Sequence, residues 1–328
     1  MTVRLGILSA AHVHADHYAD AIASIDGVEL VGVADDDHER GKNFAASHGI
    51  EYAATEDVLA DINGAIVTAP NTEHGVWVDA AAAAGVPVLC EKPLATTREE
   101  AARIATVADE AGIALGVAMP VRFNPPIQRA KAAYEAGKLG EVHAIVGTNI
   151  LQRIAAGTWM TDPELAGGGA IMDHTVHVVD LARWITGEEV IDVYAETGTR
   201  FESLDVEDID VLSMELADGT IFSHDGSWRQ PPTWDFWGDV TMRLIGDAQV
   251  MEVDCFDQTV TLTTDDDGRE QLYWGSDMNV GLIRDFTRSI TDGTDPAIPA
   301  REGVPAVAVV EAAYESAASG EPIRITYD

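Results

Sequence analysis

Cysteine is almost absent. Cys90 and Cys255 are the only two and lie far apart. They form neither a metal-binding spacing nor a disulfide framework, which suits a reducing compartment. Positive charge is scarce as well: 20 Lys and Arg stand against 56 Asp and Glu, a formal net charge of −36. Such a chain repels phosphate backbones and anionic lipid surfaces, so nucleic-acid and membrane partners are not expected. Only four residues are lysine: Lys42, Lys92, Lys131 and Lys138. The acids are spread along the chain, and dissolved salt screens their mutual repulsion. The composition therefore describes a halophilic protein of a very salty cytoplasm more than it describes an activity. No apolar run approaches the ~18 residues of a membrane span, and no charged start precedes an apolar stretch. The expected location is cytoplasmic. Internal repeats and low-complexity linkers are also lacking.

What is present is a regular alternation. The apolar segments "VRLGIL", "VELVGVAD", "GAIVTAP", "VPVLCEKP" and "IALGVAM" read as strands, with helical spacing between them. Strands alternating with helices imply a parallel sheet with helical crossovers. The pattern changes after Pro120. From Val190 to about Trp274 the chain alternates like antiparallel strands, and "VPAVAVVEAAYESAASG" reads as a late helix. The expectation is an α/β chain of 328 residues in two domains: residues 1–120 a doubly wound parallel Rossmann sheet, residues 121–328 an α+β domain with an open, mainly antiparallel sheet.

The loop after the first strand is unusual. "GILSAAHVHADHY" holds one glycine, Gly6, and three histidines, His12, His14 and His17. A dinucleotide-binding chain carries glycines here for a tight turn, for close approach to the pyrophosphate and for helix–strand packing. One alternative is that H-x-H opens a metal-dependent hydrolase, with Asp173, His174 and His177 of "DHTVH" as further ligands. That fold needs about eight strand–helix units, and the alternation here changes after five. No metal is assigned. Asp35 ends the second strand 24 residues beyond Ala11 (35 against 11), near the spacing of an acid that accepts from the ribose 2′-hydroxyl. Asp36 and Asp37 follow, so NAD is expected over NADP, with Arg40 one turn on as the group able to reach a phosphate.

The most specific residues lie further along. "CEKPLA" puts Lys92 directly after an apolar strand, at the carboxyl edge where ligands of parallel sheets bind. "GGGAIMDHTVHVVD" puts Asp173 and His177 four apart, on one face of a helix. With "APNTEHGVWVDAAAAAGVPVLCEKPLATT" and "RFNPPIQRAKAAYEAGKLGEV", these segments resemble the Gfo/Idh/MocA oxidoreductases, relatives of glucose–fructose oxidoreductase and inositol dehydrogenase, over nearly the whole chain.

The resemblance implies an NAD(P)-dependent enzyme that moves a hydride between nicotinamide and a hydroxyl or carbonyl carbon of a sugar, cyclitol or derivative. It implies His177 as acid/base, Lys92 as the group that polarises the substrate hydroxyl, and Asp173 as a positioning group. The three glycine places of the loop fall at Ser9, Ala11 and His14, and His17 falls where relatives carry histidine. Cofactor contacts are then expected from Ser9, Ala11, His12, His14, Asp35, Pro70, Asn71, His74, Glu91 and Lys92. Substrate contacts are expected from Lys92, Arg122, Asn124, Trp159, Asp173, His174 and His177, with Trp234 and Trp237 as a further platform for a sugar ring. Asp180 is expected to be a structural partner, and the Gly167–Gly169 run to bring backbone close to substrate or cofactor. A homodimer or homotetramer is expected through the open sheet. NAD-assisted glycosidic cleavage and a non-catalytic cofactor-binding regulator are the other functions open to such a chain.

Overall fold

The structure is a computed structural model and describes residues 2–201, 203–234, 238–264, 268–273 and 275–327, with 259–273 as backbone only. In chain order the first elements are β1 (Val3–Ala10), α1 (His14–Ala23), β2 (Val28–Ala34), α2 (His38–His48), β3 (Glu51–Tyr52), α3 (Thr55–Asp61), β4 (Gly64–Thr68), α4 (His74–Ala83), β5 (Val88–Glu91), α5 (Arg98–Ala111) and β6 (Leu115–Ala118). Then come α6 (Pro125–Glu135), β7 (Val142–Thr148), α7 (Pro163–Ala166), α8 (Ala170–Thr186), β8 (Val190–Gly198), β9 (Ile209–Leu216), β10 (Ile221–Asp225), β11 (Thr241–Gly246), β12 (Val250–Asp254), β13 (Thr259–Thr264), β14 (Gly268–Tyr273), α9 (Met278–Asp292), α10 (Ala300–Ser319) and β15 (Ile323–Arg324).

Two compact units result. The first takes Met1–Pro120, Glu164–Gly167 and Asp277–Val307; the second takes Val121–Pro163, Gly168–Ser276 and Ala308–Asp328. The break after residue 120 falls where the strand–helix alternation ends. The first unit also gathers α9 from far along the chain. A Cβ on Gly64 of β4 would lie 2.5 Å from Ile290 and 3.0 Å from Phe286, so this glycine lets α9 press onto the sheet.

The first unit is a six-stranded parallel sheet in the order β3-β2-β1-β4-β5-β6. This is the order of doubly wound dinucleotide-binding sheets, and it reverses direction between β1 and β4. Its strands read as continuous apolar runs because both faces are covered: Leu5, Ile7, Ile66, Val67, Val88 and Leu89 are almost wholly buried. Local chemistry sets the helix ends. Asp37 caps α2 by accepting from the Glu39 and Arg40 N–H groups, and Thr97 caps α5 through the Glu100 N–H. The open sheet, with β3 and β6 at its edges, sets aside the eight-unit barrel that the hydrolase alternative requires.

The second unit holds a seven-stranded sheet, β12-β11-β7-β10-β9-β8-β15, antiparallel except for the β7–β10 pair. Helix α8 packs on its inner face, where a Cβ on Gly147 of β7 would lie 2.4 Å from Val178. The opposite face is exposed and carries Val146, Val211, Ile221 and Val250. No described helix is long and apolar enough to cross a membrane.

Candidate active site

The first unit concentrates its candidates at the carboxyl edge around β1, β2, β4 and β5. At Ser9 the backbone turns left-handed, with φ 62°, the one non-glycine residue among those described to do so. This is the tight turn at which relatives are expected to have glycine. The conformation costs an ordinary residue about 1–2 kcal/mol. Buried Ser9 is held there by its carbonyl, which accepts from the Thr68 hydroxyl.

Asp35, at the end of β2, is buried and already saturated. Its carboxylate accepts from the Ala10 N–H (2.7 Å), the Asp37 N–H (2.8 Å), Arg40 Nε (2.9 Å) and Arg40 Nη2 (2.6 Å). Arg40 Nη2 also donates to Asp36 (2.8 Å) and reaches the Ser9 hydroxyl at 3.4 Å. Sequence reasoning gave Arg40 only as a group able to reach a phosphate; the structure also makes it the bidentate partner of Asp35 at the turn. A Cβ on Gly41 would meet the Tyr52 ring at 2.5 Å and Asp35 Cβ at 2.8 Å, so this glycine lets α2 approach the acid.

His14 answers the question posed by the missing third glycine. Its ring turns onto the end of β5, with Nδ1 2.9 Å from Glu91 Oε1. Tyr18 donates its hydroxyl to the same oxygen, and the Lys92 N–H donates to Glu91 Oε2 at 3.0 Å. A polar contact between α1 and β5 replaces close glycine packing. Burial works to raise the Glu91 pKa, but His14 and His12 outweigh it and hold the fully buried carboxyl well below its ordinary range. Burial and Glu91 push the Tyr18 phenol well up.

His12 is buried beside His14, with ring centroids 4.2 Å apart. Its main-chain N–H donates to the Thr68 carbonyl at 2.9 Å, and its ring Nδ1 accepts from the His14 main-chain N–H at 3.1 Å. Among the described residues, His12, His14 and Glu91 form the group whose ligand atoms all lie within 4.8 Å of one another. Ala11 stands between Ser9 and this pair. Val13, the N-cap of α1, supplies no side-chain bond. His12 caps the helix instead, its Nδ1 accepting from the His14 N–H and its carbonyl from the Ala15 N–H at 3.0 Å, and the positive end of the α1 dipole still faces this loop.

Lys92 follows β5 directly, and its peptide bond to Pro93 is cis. His74 lies beneath this turn with no exposure, its ring nitrogens 2.9 Å from the Pro93 carbonyl and 3.1 Å from that of Ala69. Burial lowers its pKa. His74 thus ties the Pro70 loop to the lysine turn from below. Asn71 is likewise engaged, donating to the Ala166 carbonyl at 2.9 Å.

In the second unit, α8 carries Asp173, His174 and His177, all less than a tenth exposed. His174 Nδ1 lies 2.6 Å from the Gly226 carbonyl, and its Nε2 lies 3.1 Å from Asp173 Oδ2, so the ring links the helix to the sheet. The glycine run before α8 serves packing. A Cβ on Gly168 would sit 1.9 Å from the Tyr314 hydroxyl, and one on Gly169 would sit 2.0 Å from the Glu207 carbonyl. Glu207 accepts from the Gly169 N–H (3.0 Å), the Ile171 N–H (3.1 Å) and the Tyr314 hydroxyl (2.7 Å), fixing the start of the helix. Burial raises its pKa.

Beneath α8 lie two groups that sequence reasoning missed, Asp210 on β9 and His224 on β10. A Cβ on Gly226 would be 2.8 Å from His224 Nε2 and 2.9 Å from Asp210 Oδ1. Burial pushes Asp210 up to about 7, with His174 acting against it, and burial pushes His224 down to about 4. Their signal was present: each interrupts the apolar side of an alternating strand.

Arg122 and Asp180 form a buried bidentate pair (2.7 and 2.5 Å), so Asp180 is the structural partner expected and Arg122 is already engaged. Asn124 is fully buried before α6, and Trp159 is partly buried on a short 3-10 turn. Trp234 is half exposed, and Trp237 lies outside the described residues.

Known proteins match this arrangement. Residues 3–119 match the family model described as "Oxidoreductase family, NAD-binding Rossmann fold", and residues 127–252 match that of the "GFO/IDH/MocA C-terminal domain". A D-xylose 1-dehydrogenase (NADP(+)) of Haloferax volcanii is 31% identical over 316 residues, 94% of this chain and 93% of that protein. An inositol 2-dehydrogenase of Saccharopolyspora erythraea is 26% identical over 340 residues, 99% of this chain and 97% of its own. The crystal structure of GenD2 from gentamicin A biosynthesis, in complex with NAD, superposes with a TM-score of 0.91 at 26% identity, covering 99% of this chain and 97% of that one.

Proposed function

The chain belongs to the GFO/IDH/MocA family of oxidoreductases, and from that premise we propose that it is a nicotinamide-dependent dehydrogenase or reductase acting at one CH–OH carbon of a sugar, cyclitol or derivative. The observation that carries the reading is the edge of the first sheet. The Ser9 turn, the start of α1 and Lys92 all follow strand ends at the carboxyl edge of the sheet, near the β1/β4 reversal. That chemistry fits a dinucleotide: the positive end of the α1 dipole for the pyrophosphate, and Arg40, held by Asp35, beside the adenosine ribose.

When bound, nicotinamide supplies a two-electron acceptor or donor. The chain's own residues supply the rest. Lys92 hydrogen-bonds the substrate oxygen and stabilises the charge left as its proton departs. His177 takes that proton, or returns it in the reverse direction, a task suited to imidazole near neutral pH. Asp173, one turn earlier on the same helix face, orients His177 and the substrate.

NAD is the proposed cofactor. Asp35, Asp36 and Asp37 carry three negative charges against one from Arg40, which disfavours a 2′-phosphate. NADP is the second reading. The Arg40 guanidinium at the Ser9 turn favours it, as does the likeness to the Haloferax D-xylose 1-dehydrogenase (NADP(+)). The exposed face of the second sheet is the proposed self-association surface, tested by light scattering. The test of function is a screen of aldoses and cyclitols with NAD⁺ and NADP⁺ in molar KCl, read by nicotinamide absorbance and repeated with Lys92→Ala. Lys92-dependent oxidation supports the proposal. Glycoside cleavage without net reduction of cofactor would favour the NAD-assisted glycosidase.

A further inference from the structure

We propose that His12, His14 and Glu91 form a binding site for one divalent cation of the zinc class. Two imidazoles and a carboxylate are a ligand set that such ions accept, with a fourth position left for water or another oxygen. One edge of the coordination shell is already formed. His14 Nδ1 and Glu91 Oε1 are 2.9 Å apart. Two ligands at metal distances of about 2.0–2.2 Å stand roughly 3.3 Å apart in a tetrahedral site. An ion would thus take the place of the hydrogen bond that now joins this pair.

The third ligand is close. All three residues offer atoms within 4.8 Å of one another, so His12 must close by only ~1.5 Å to complete the tetrahedral spacing. The surroundings orient the ligands. The His12 ring is oriented by the His14 N–H, which donates to its Nδ1, while the Lys92 N–H holds Glu91 Oε2 and the Tyr18 hydroxyl holds Glu91 Oε1. Glu91 has no exposure, so competing water does not weaken its charge. Imidazole selects zinc, nickel or copper over magnesium and calcium, whereas the many surface carboxylates of this chain prefer the hard ions.

The test uses chelator-treated, full-length protein without dinucleotide, in molar KCl with excess MgCl₂. ZnCl₂ is titrated in a calorimeter. One equivalent per chain, of micromolar or tighter affinity, is expected. His12→Gln and His14→Gln should each weaken it by about 100-fold or more, beyond the loss typical of an outer-shell partner. His48→Gln, which removes a histidine paired with Asp16 at the surface, should leave it intact. Co²⁺ on the unaltered protein gives a reading that needs no variant: the intense visible absorption of a four-coordinate site is expected. Absence of a saturable equivalent, unchanged affinity in both folded variants, or only the weak band of hydrated Co²⁺ overturns the site. Because no dinucleotide is present, any of these results leaves the oxidoreductase proposal standing.

Discussion

Asp210→Asn should change the slope of stability against pH. Asp210 and His224 are buried beside Gly226, with pKa values of about 7 and about 4 in place of 3.8 and 6.5. Between those limits the folded chain keeps one proton on the pair, on Asp210. The unfolded chain also keeps one, on His224. Equal proton counts give no slope, so the native pair is silent between about pH 4 and 6.5. With asparagine at 210, the folded chain holds none and the unfolded chain still holds one. The depressed His224 pKa then acts alone: its contribution is complete above 6.5 and is lost as pH falls towards about 4. The slope is about 1.4 kcal/mol per pH unit, or about 3 kcal/mol across the interval. Urea unfolding of both proteins in molar KCl, at steps from pH 7.5 to 4.5, gives the difference directly. Adding His224→Gln to the variant should flatten it again. Parallel curves for native protein and Asp210→Asn would refute the reasoning.

Three further outcomes follow from the same geometry. Lys92→Ala and His177→Ala should each lower turnover about 10²–10⁴-fold while the NADH dissociation constant stays nearly unchanged, as fluorescence titration and steady-state rates will show. Arg40→Ala removes the cation that compensates Asp35 and should weaken NADPH about tenfold or more with a much smaller effect on NADH; equal effects on both would mean that Arg40 does not face the 2′ position. Glu207→Ala strands two helix N–H groups and the Tyr314 hydroxyl, and should cost about 3 kcal/mol or more by urea unfolding, with a loss below 1 kcal/mol contradicting its anchoring role.

The first sheet was legible because a parallel sheet buries both faces and its strands read as apolar runs between helices. Gly49 and Gly112 stand at the left-handed ends of α2 and α5, where glycine is the usual helix stop. The second sheet was legible as alternation, although the parallel β7–β10 pair was not, since alternation carries no information on strand direction. Packing across long sequence distances was hidden. Nothing in "FTRSITDG" says that α9 completes the first unit, and nothing in "GGG" says that Tyr314 and Glu207 fill the space above it. The altered loop shows the limit most clearly. Its histidines were visible in the sequence, but the direction of the His14 ring depended on Glu91, which lies 77 residues away.

The most direct test of the account is a titration of purified protein with NADH in molar KCl, read by energy transfer from tryptophan to the reduced nicotinamide, with NADPH run in parallel. Saturable binding that favours NADH is the predicted result, and it would mean that a loop built on Ser9, Ala11 and His14 still cradles a pyrophosphate. No binding of either nucleotide by folded protein would contradict the account at its centre.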